Sequence, residues 1–496
     1  MGQRVAALLG LAWLAACDGA TGVIPTVVAD TASVLVADPG VVDAPVDPGT
    51  LAPDVPDVPD VPEAPDAPDV PDVPDVPDVP SIPAGTLKSG PVGDALCVSG
   101  LPWGGKDQER AISRLKEAGI RRIRMDLRWH DVEPKPDEWH LDVLEGRVGP
   151  YLDAGLTLLA NLCYGNPWAT QVPKADYFYP PDDPATFAKY VHKVVTHFQK
   201  RGVTDYEVWN EENAGYRFWK PELGGDPKAF GALLIAAVAS GRSACPTCRF
   251  AFGGPFFHPQ LIPGHVQFLT DVQVAHPTLP ASYDAMGFHP YPLYPPQAAP
   301  EGPPGEEELP FSEMAAQVRA TMALAGPTRP LWTTELGWPV YGKIDEERQA
   351  AYLVRGILQL VALDATPTCV FTLFDGPEFK AFPPEDAFGL LRWPTTAGEE
   401  PSAKPAFTAL KFLGTTLAEH RLVRDLRAAA LVPAGVYGYA LEAPNGERTW
   451  VVWTHPTDGP AAVPVAVTAL WDQLGAPISG TALVARHTPT YARLKP

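Results

Sequence analysis

From about residue 90 to residue 418, short apolar runs alternate with stretches of helical periodicity, and no other feature restricts the fold of this chain so tightly. Apolar runs of strand length separated by amphipathic segments signal βα units around a parallel sheet. The runs read as strands near 94–98, 121–127, 156–162, 205–210, 249–253, 284–289, 330–335 and 368–374. Between them, Gln108 to Ala118 carries an amphipathic helical pattern, and Pro184 to Lys200 opens with proline in its first turn. Asp345 to Leu363 is long and apolar on one side, and a last helix is expected near 403–418. Eight strands with eight helices predict an α/β chain, a (β/α)8 TIM barrel, over residues 89–418.

The pattern changes after residue 419. Val436 to Leu441, the turn Ala443-Pro444-Asn445-Gly446 and Thr449 to Trp453 read as a hairpin closed by Asn-Gly. Strands are also expected at Val463 to Val467 and Thr481 to Ala485, making residues 419–496 a small C-terminal β-sandwich.

The other end of the chain is of a different kind. Arg4 followed by the apolar stretch Val5 to Ala16 reads as an export signal over residues 1–17. Leu14-Ala15-Ala16-Cys17 has the form of a bacterial lipobox, with Cys17 the expected site of lipidation and membrane anchorage. The expected location is therefore the bacterial cell envelope, facing the periplasm or the cell surface. Residues 18–88 read as an acidic, proline-rich linker, and 54–80 repeat Asp-Val-Pro with occasional Ala or Glu. Proline every third position removes backbone donors and fixes φ, so the repeat predicts a stiff, extended spacer.

This spacer accounts for most of the net charge of −21. Residues 18–85 hold 14 acidic residues and no Lys or Arg; setting those and Arg4 aside leaves −8 for the rest. No Lys/Arg run or basic patch stands out, which argues against a nucleic-acid partner. Besides Cys17, the apolar settings of Cys97, Cys163 and Cys369 predict buried free thiols. Cys245-Pro246-Thr247-Cys248 reads as a small surface disulfide, since no second Cys/His pair lies nearby to complete a zinc site. His192 and His197 are five residues apart on one helix and read as surface residues, so no metal site is expected.

The chemistry-bearing residues fall where barrel strands end. Loops at the C-terminal ends of barrel strands converge on one face. Arg124 and Asp126 lie on the second strand, with Trp129 after it; Asn161, Tyr164 and Trp168 follow the third. Asn210 and Glu211 close the fourth, and the sixth ends in Gly287-Phe288-His289-Pro290-Tyr291. Glu335 closes the seventh, followed by Trp338, and Phe374-Asp375 close the eighth. Two carboxylates on a shared face, flanked by aromatics, are what glycosidic bond cleavage requires: a proton donor and a nucleophile or base. Glu212 is expected to point away and to be structural.

Asn-Glu at the end of strand four with Glu at the end of strand seven resembles clan A of the glycoside hydrolases. The stretch Glu207-Val208-Trp209-Asn210-Glu211-Glu212-Asn213, with Phe218-Trp219, His289-Pro290-Tyr291 and the C-terminal β-unit, is similar to family 39 and related bacterial polysaccharide hydrolases. The resemblance implies that Glu211 is the general acid/base and Glu335 the nucleophile. It implies that Asn210 bonds the sugar 2-hydroxyl, that Tyr291 bonds the nucleophile and that Arg124 keeps it ionised. His289 would line the same pocket, and carboxyls about 5 Å apart would give retention of configuration. Many clan members carry Trp at the end of strand eight; Phe374-Asp375 stands there, so a stacking platform falls to Phe374 or Trp338 and Asp375 becomes a candidate for a sugar hydroxyl.

The expectation is a retaining glycosidase acting on an oligo- or polysaccharide, with no cofactor. A carbohydrate-binding lipoprotein without turnover would keep the barrel but would not need Asn210, Glu211 and Glu335 together. A transglycosylase would share every one of these residues.

Overall fold

The computed structural model describes residues 84–495, apart from 215–216, 222–224, 257–264, 292–297, 303–308, 377–383 and 395–398. Cys17, the Asp-Val-Pro repeat and most of the proline-rich stretch after Tyr291 therefore lie outside the described residues.

Eight parallel strands close into a barrel in chain order: β1 (Leu96–Ser99), β2 (Arg122–Arg128), β3 (Thr157–Cys163), β4 (Asp205–Val208), β5 (Arg249–Phe252), β6 (Ala285–Phe288), β7 (Leu331–Leu336) and β8 (Thr368–Phe371). Helices Gly105–Glu117, Leu141–Asp153, Pro184–Phe198, Pro227–Ala244, His265–Ala275, Phe311–Ala325, Glu346–Ala362 and Pro405–Thr415 surround it. Their starts are written locally. Asp183, Asp226 and Asp345 each cap a helix by accepting from a backbone N–H one turn in, and two of those helices begin with proline.

Two strands end earlier than their apolar runs. The run at 205–210 stops pairing at Val208, because Trp209 (φ 74°) and Glu211 (φ 47°) leave the extended region for the left-handed one. Non-glycine residues held there cost about 1–3 kcal/mol each. The run at 368–374 stops at Phe371. In β7 the pairing with β8 shifts register between Thr333 and Leu336. Such an irregularity re-aims side chains, and both Thr334 and Glu335 bond to residues of the barrel interior.

Barrel closure corrects one expectation. Cys97 and Cys369 are not free thiols; their sulfurs form a disulfide 2.11 Å long. They sit at matching register on β1 and β8, which meet only when the barrel closes, 272 residues apart in the chain. Cys163 remains a buried free cysteine. Cys245 and Cys248 form a second disulfide at 2.00 Å.

Beyond the barrel, six antiparallel strands run in the order β11 (Arg421–Asp425), β12 (Val436–Glu442), β13 (Arg448–Thr454), β18 (Thr490–Leu494), β15 (Val467–Trp471) and β16 (Pro477–Ile478). A second ladder joins β14 (Ala461–Val463) to β17 (Leu483–Ala485). Val436, Val452, Leu470 and Ala492 of the first sheet share one core with Val463, Leu483 and Ala485 of the second, as the two layers of a sandwich do. The Asn-Gly hairpin is β12–β13. The strand expected at Val463 to Val467 is instead the connection from β14 to β15. The short strands β9 (Leu391–Arg392) and β10 (Ser402–Ala403) pair in the connection between β8 and the last barrel helix. The segment expected as the end of the linker pairs with β11, where Leu87 N donates to Val423 O at 3.0 Å.

Candidate active site

The site forms at the C-terminal end of the barrel, around Arg124. This guanidinium is 3% exposed and carries three charge-assisted bonds. Its Nε donates to Glu207 Oε2 at 2.6 Å, Nη1 to Glu335 Oε1 at 2.8 Å and Nη2 to Asn210 Oδ1 at 2.7 Å. A planar fork with several donors can hold three acceptors, from β4, the turn after it and β7, in fixed relation. Glu335 takes a second donor on its other oxygen, Tyr291 Oη, at 3.2 Å. Burial raises the Glu335 carboxyl above its ordinary range, against the pull of His289 and Arg124.

Glu211 stands in a different setting. It is wholly buried, and its Oε2 has no partner among the described residues. Oε1 lies 2.9 Å from His289 Nδ1. Burial lifts Glu211 to about 7, opposed by Arg217 and Arg124. Burial also lowers His289 to about 4. Two carboxyls held apart in this way, one poised to keep a proton and one clasped by donors, can divide acid and nucleophile roles. Glu211, His289 and Glu335 each bring one atom within 4.8 Å of the others. That spacing could hold a cation, yet both ring nitrogens of His289 are already within 3.0 Å of side-chain oxygens.

Of the residues expected at the site, the barrel gathers Arg124, Asn210, Glu211, His289, Tyr291 and Glu335. Others have different work. Asn161 is buried on β3 and donates to Asp126 at 2.8 Å. Trp129 is fully buried, donates to Glu133 Oε2 at 2.7 Å and packs on Phe187 and Tyr190; Trp168, half-buried, meets its edge. Tyr164 is buried and stacks on Phe218 at 5.7 Å. Trp338 is no stacking platform: it is buried against Phe311 and Tyr352, and its Nε1 donates to Ala298 O at 2.9 Å. Phe374 is buried edge-on to Trp393. Asp375 is buried and accepts from Lys404 Nζ at 2.6 Å and Gly389 N at 2.9 Å, so its charge is used inside the fold. Burial nevertheless raises it to about 6.

Three participants escaped the sequence reading. Glu207 and Thr334 bond each other at 2.6 Å between the two key carboxyls. A charged residue inside the apolar run of β4 was the available signal for Glu207; Thr334 gave none, since threonine is ordinary in a strand. Glu385, beyond β8, is buried with Oε2 bonded to no other described residue, and burial holds it well above the carboxylate range. Glu212 is buried and bonds neither oxygen to another described residue.

No protein-family model matches the sequence, and no curated protein matches it. Solved structures do. A family 39 glycoside hydrolase from Bacteroides cellulosilyticus WH2 is similar at 21% identity, covering 82% of this chain and 81% of that one, with a TM-score of 0.63. A monomeric β-xylosidase from Caulobacter crescentus CB15 is similar at 16% identity over 84% of this chain and 98% of that one, TM-score 0.56. The catalytic domain of a family 30 xylanase C from Talaromyces cellulolyticus is similar at 12% identity over 83% and 99%, TM-score 0.53. The neighbours are thus family 39 and family 30 glycoside hydrolases, the kind of protein that the Asn-Glu and Glu motifs resemble; at these identities the likeness establishes the shared fold.

Proposed function

We propose that this chain is a retaining glycoside hydrolase that cleaves O-glycosidic bonds of an oligo- or polysaccharide by double displacement. The observation that carries the reading is the carboxyl pair, with oxygens of Glu211 and Glu335 within 4.8 Å of one another. Retaining enzymes hold their carboxyls about 5–5.5 Å apart, whereas inverting ones leave about 6.5–9.5 Å for a water.

In this reading Glu335 attacks the anomeric carbon. The bond to the leaving oxygen breaks as the bond to the Glu335 carboxylate forms, and Glu211 gives its proton to the departing oxygen. Glu211, now ionised, takes a proton from water; the water oxygen then displaces Glu335 and releases the sugar. Arg124 and Tyr291 orient Glu335. Asn210 spends its Oδ1 on Arg124, which leaves its Nδ2 to donate to a sugar hydroxyl. The glycoside hydrolase neighbours support the class of reaction.

Hydrolysis of a panel of aryl β-glycosides and polysaccharides tests the reading, with Glu335→Gln as control. Turnover lost in the variant, with the first-formed anomer retained by proton NMR, is expected. An inverted product sinks double displacement. Sugar binding without turnover in the unaltered protein moves the reading to a binding lipoprotein.

The protein is also read as an exported lipoprotein anchored through Cys17. Two disulfides fit an oxidising compartment, and no helix among the described residues is long and apolar enough to cross a membrane. Fatty-acid labelling that persists in Cys17→Ser would remove the anchor from the proposal.

A further inference from the structure

Glu207 and Thr334 take part in none of the bond-making steps above, yet they complete a circuit between the two carboxyls that do. Glu335 is bonded by Arg124 Nη1, and Arg124 Nε bonds Glu207 Oε2. Thr334 Oγ1 lies 2.6 Å from Glu207 Oε1 and 3.0 Å from His289 Nε2; His289 Nδ1 lies 2.9 Å from Glu211 Oε1. Glu207, Thr334, His289 and Glu211 are all fully buried.

The circuit fixes its own proton directions. A hydroxyl has one proton to give, and a carboxylate paired with a guanidinium accepts. Thr334 therefore donates to Glu207, and its oxygen is left to accept from His289 Nε2–H. A neutral imidazole carries a single N–H, so Nδ1 presents a lone pair. The contact between that lone pair and Glu211 Oε1 needs a proton on Glu211.

We infer that Thr334 and Glu207 are positioning residues that hold His289 in its Nε2–H tautomer and so keep the transferable proton on Glu211. The inference rests on the acid/base reading of Glu211. With the opposite tautomer, Nδ1–H would donate to a Glu211 carboxylate, stabilise its ionised form and empty it of the proton the leaving group needs. Between about 4 and about 7, burial keeps His289 neutral and Glu211 protonated. The charged and titratable groups facing this pair are Arg124 and Asp126 from β2, Glu207 and Glu212 from β4 and its end, and Arg217 beyond it. Tyr291 faces it after β6, Glu335 from β7, with Oε2 3.9 Å from His289 Nδ1, and Glu385 after β8.

Thr334→Val removes the hydroxyl at nearly constant volume and frees the ring to exchange tautomers. The alkaline limb of kcat/KM should move down by about one pH unit. Alkyl glycosides should lose about tenfold or more, while dinitrophenyl glycosides, which need no acid, change little. Thr334→Ser should restore both. A direct readout does not depend on activity: nitrogen-15 NMR of the imidazoles at about pH 6, with His289→Gln for assignment, should show Nε2–H in the unaltered protein and a mixed or reversed tautomer in Thr334→Val. Nδ1–H or an imidazolium in the unaltered protein overturns the inference, as does a Thr334→Val pH profile that superimposes on the original. If no glycoside is hydrolysed at all, the glycosidase reading fails while the tautomer measurement still decides the positioning role.

Discussion

Two buried arginines, Arg124 and Arg355, each hold buried carboxylate oxygens, and the contrast between them separates chemistry from architecture. Arg355, on helix Glu346–Ala362, meets Glu301 beside the sandwich. Glu301 Oε1 accepts from Arg355 Nε at 3.1 Å, from Gln359 Nε2 at 2.7 Å and from Trp453 Nε1 of β13 at 2.8 Å. Arg355 Nη2 bonds the other oxygen, and Nη1 donates to His487 O at 3.1 Å. His455 Nε2 closes the contact at Gly302 O, 3.0 Å away. The donors and acceptors of this Arg355–Glu301 cluster are paired with one another. Around Arg124 they are not: Glu211 Oε2, Glu385 Oε2 and both oxygens of Glu212 bond to no other described residue, and Glu211 holds a left-handed backbone. Satisfied polarity locks two domains; unsatisfied polarity, held rigidly, is left for a substrate to complete.

The largest effect expected on this contrast comes from Glu335→Gln. It should cut kcat about ten-thousandfold or more, with thermal stability unchanged or raised, because a buried charge is removed. A melting temperature that falls sharply with kcat would place Glu335 on the architectural side. Next comes Arg355→Ala, which strands Glu301 in the interior. It should destabilise by about 3–5 kcal/mol in denaturant titration, with kcat of the folded protein preserved at low temperature. A kcat loss exceeding the stability loss would show that the joint serves the chemistry too.

Glu211→Ala should lower turnover of alkyl glycosides about 10²–10⁴-fold and spare substrates with good leaving groups. Equal losses on both would remove the acid/base assignment. The unaltered protein should also show a pH signature. Burial raises Glu211 to about 7, so its donor form is full well below that value and drains as pH rises through it. Activity on alkyl glycosides should therefore fall above about 7, and in Glu211→Ala that limb should vanish. Glu335 must be ionised to attack; since burial raises it, activity should also fall on the acid side. The smallest effect is expected of Trp338→Phe, which loses the bond to Ala298 O and some packing, about 1 kcal/mol of stability, with KM unchanged. A KM that rises severalfold would return Trp338 to the sugar site.

Much of this molecule is legible in local periodicity. Alternating apolar runs and amphipathic helices specify a parallel barrel, because each run can be buried only between neighbouring strands and under a helix. Once the runs are numbered, Asn210-Glu211 and Glu335 fall at the ends of strands four and seven, on the face where barrel loops converge. The Asn-Gly turn likewise specifies the β12–β13 hairpin from four residues.

What the chain could not declare by itself are relations set by closure and burial. Cys97 and Cys369 become partners only because β1 meets β8. Trp129, Tyr164 and Trp338 look like sugar platforms in sequence because an aromatic after a strand serves stacking and packing equally well; only their burial assigns them to the core. Thr334 has no chemical mark, and reaches Glu207 and His289 through an irregular register in β7 and the curvature that carries β4, β6 and β7 around one lumen. Periodicity is a property of a few neighbouring residues and can be read along the chain. Which proton points at which oxygen depends on side chains brought together from strands more than a hundred residues apart, and that exists only in the closed barrel.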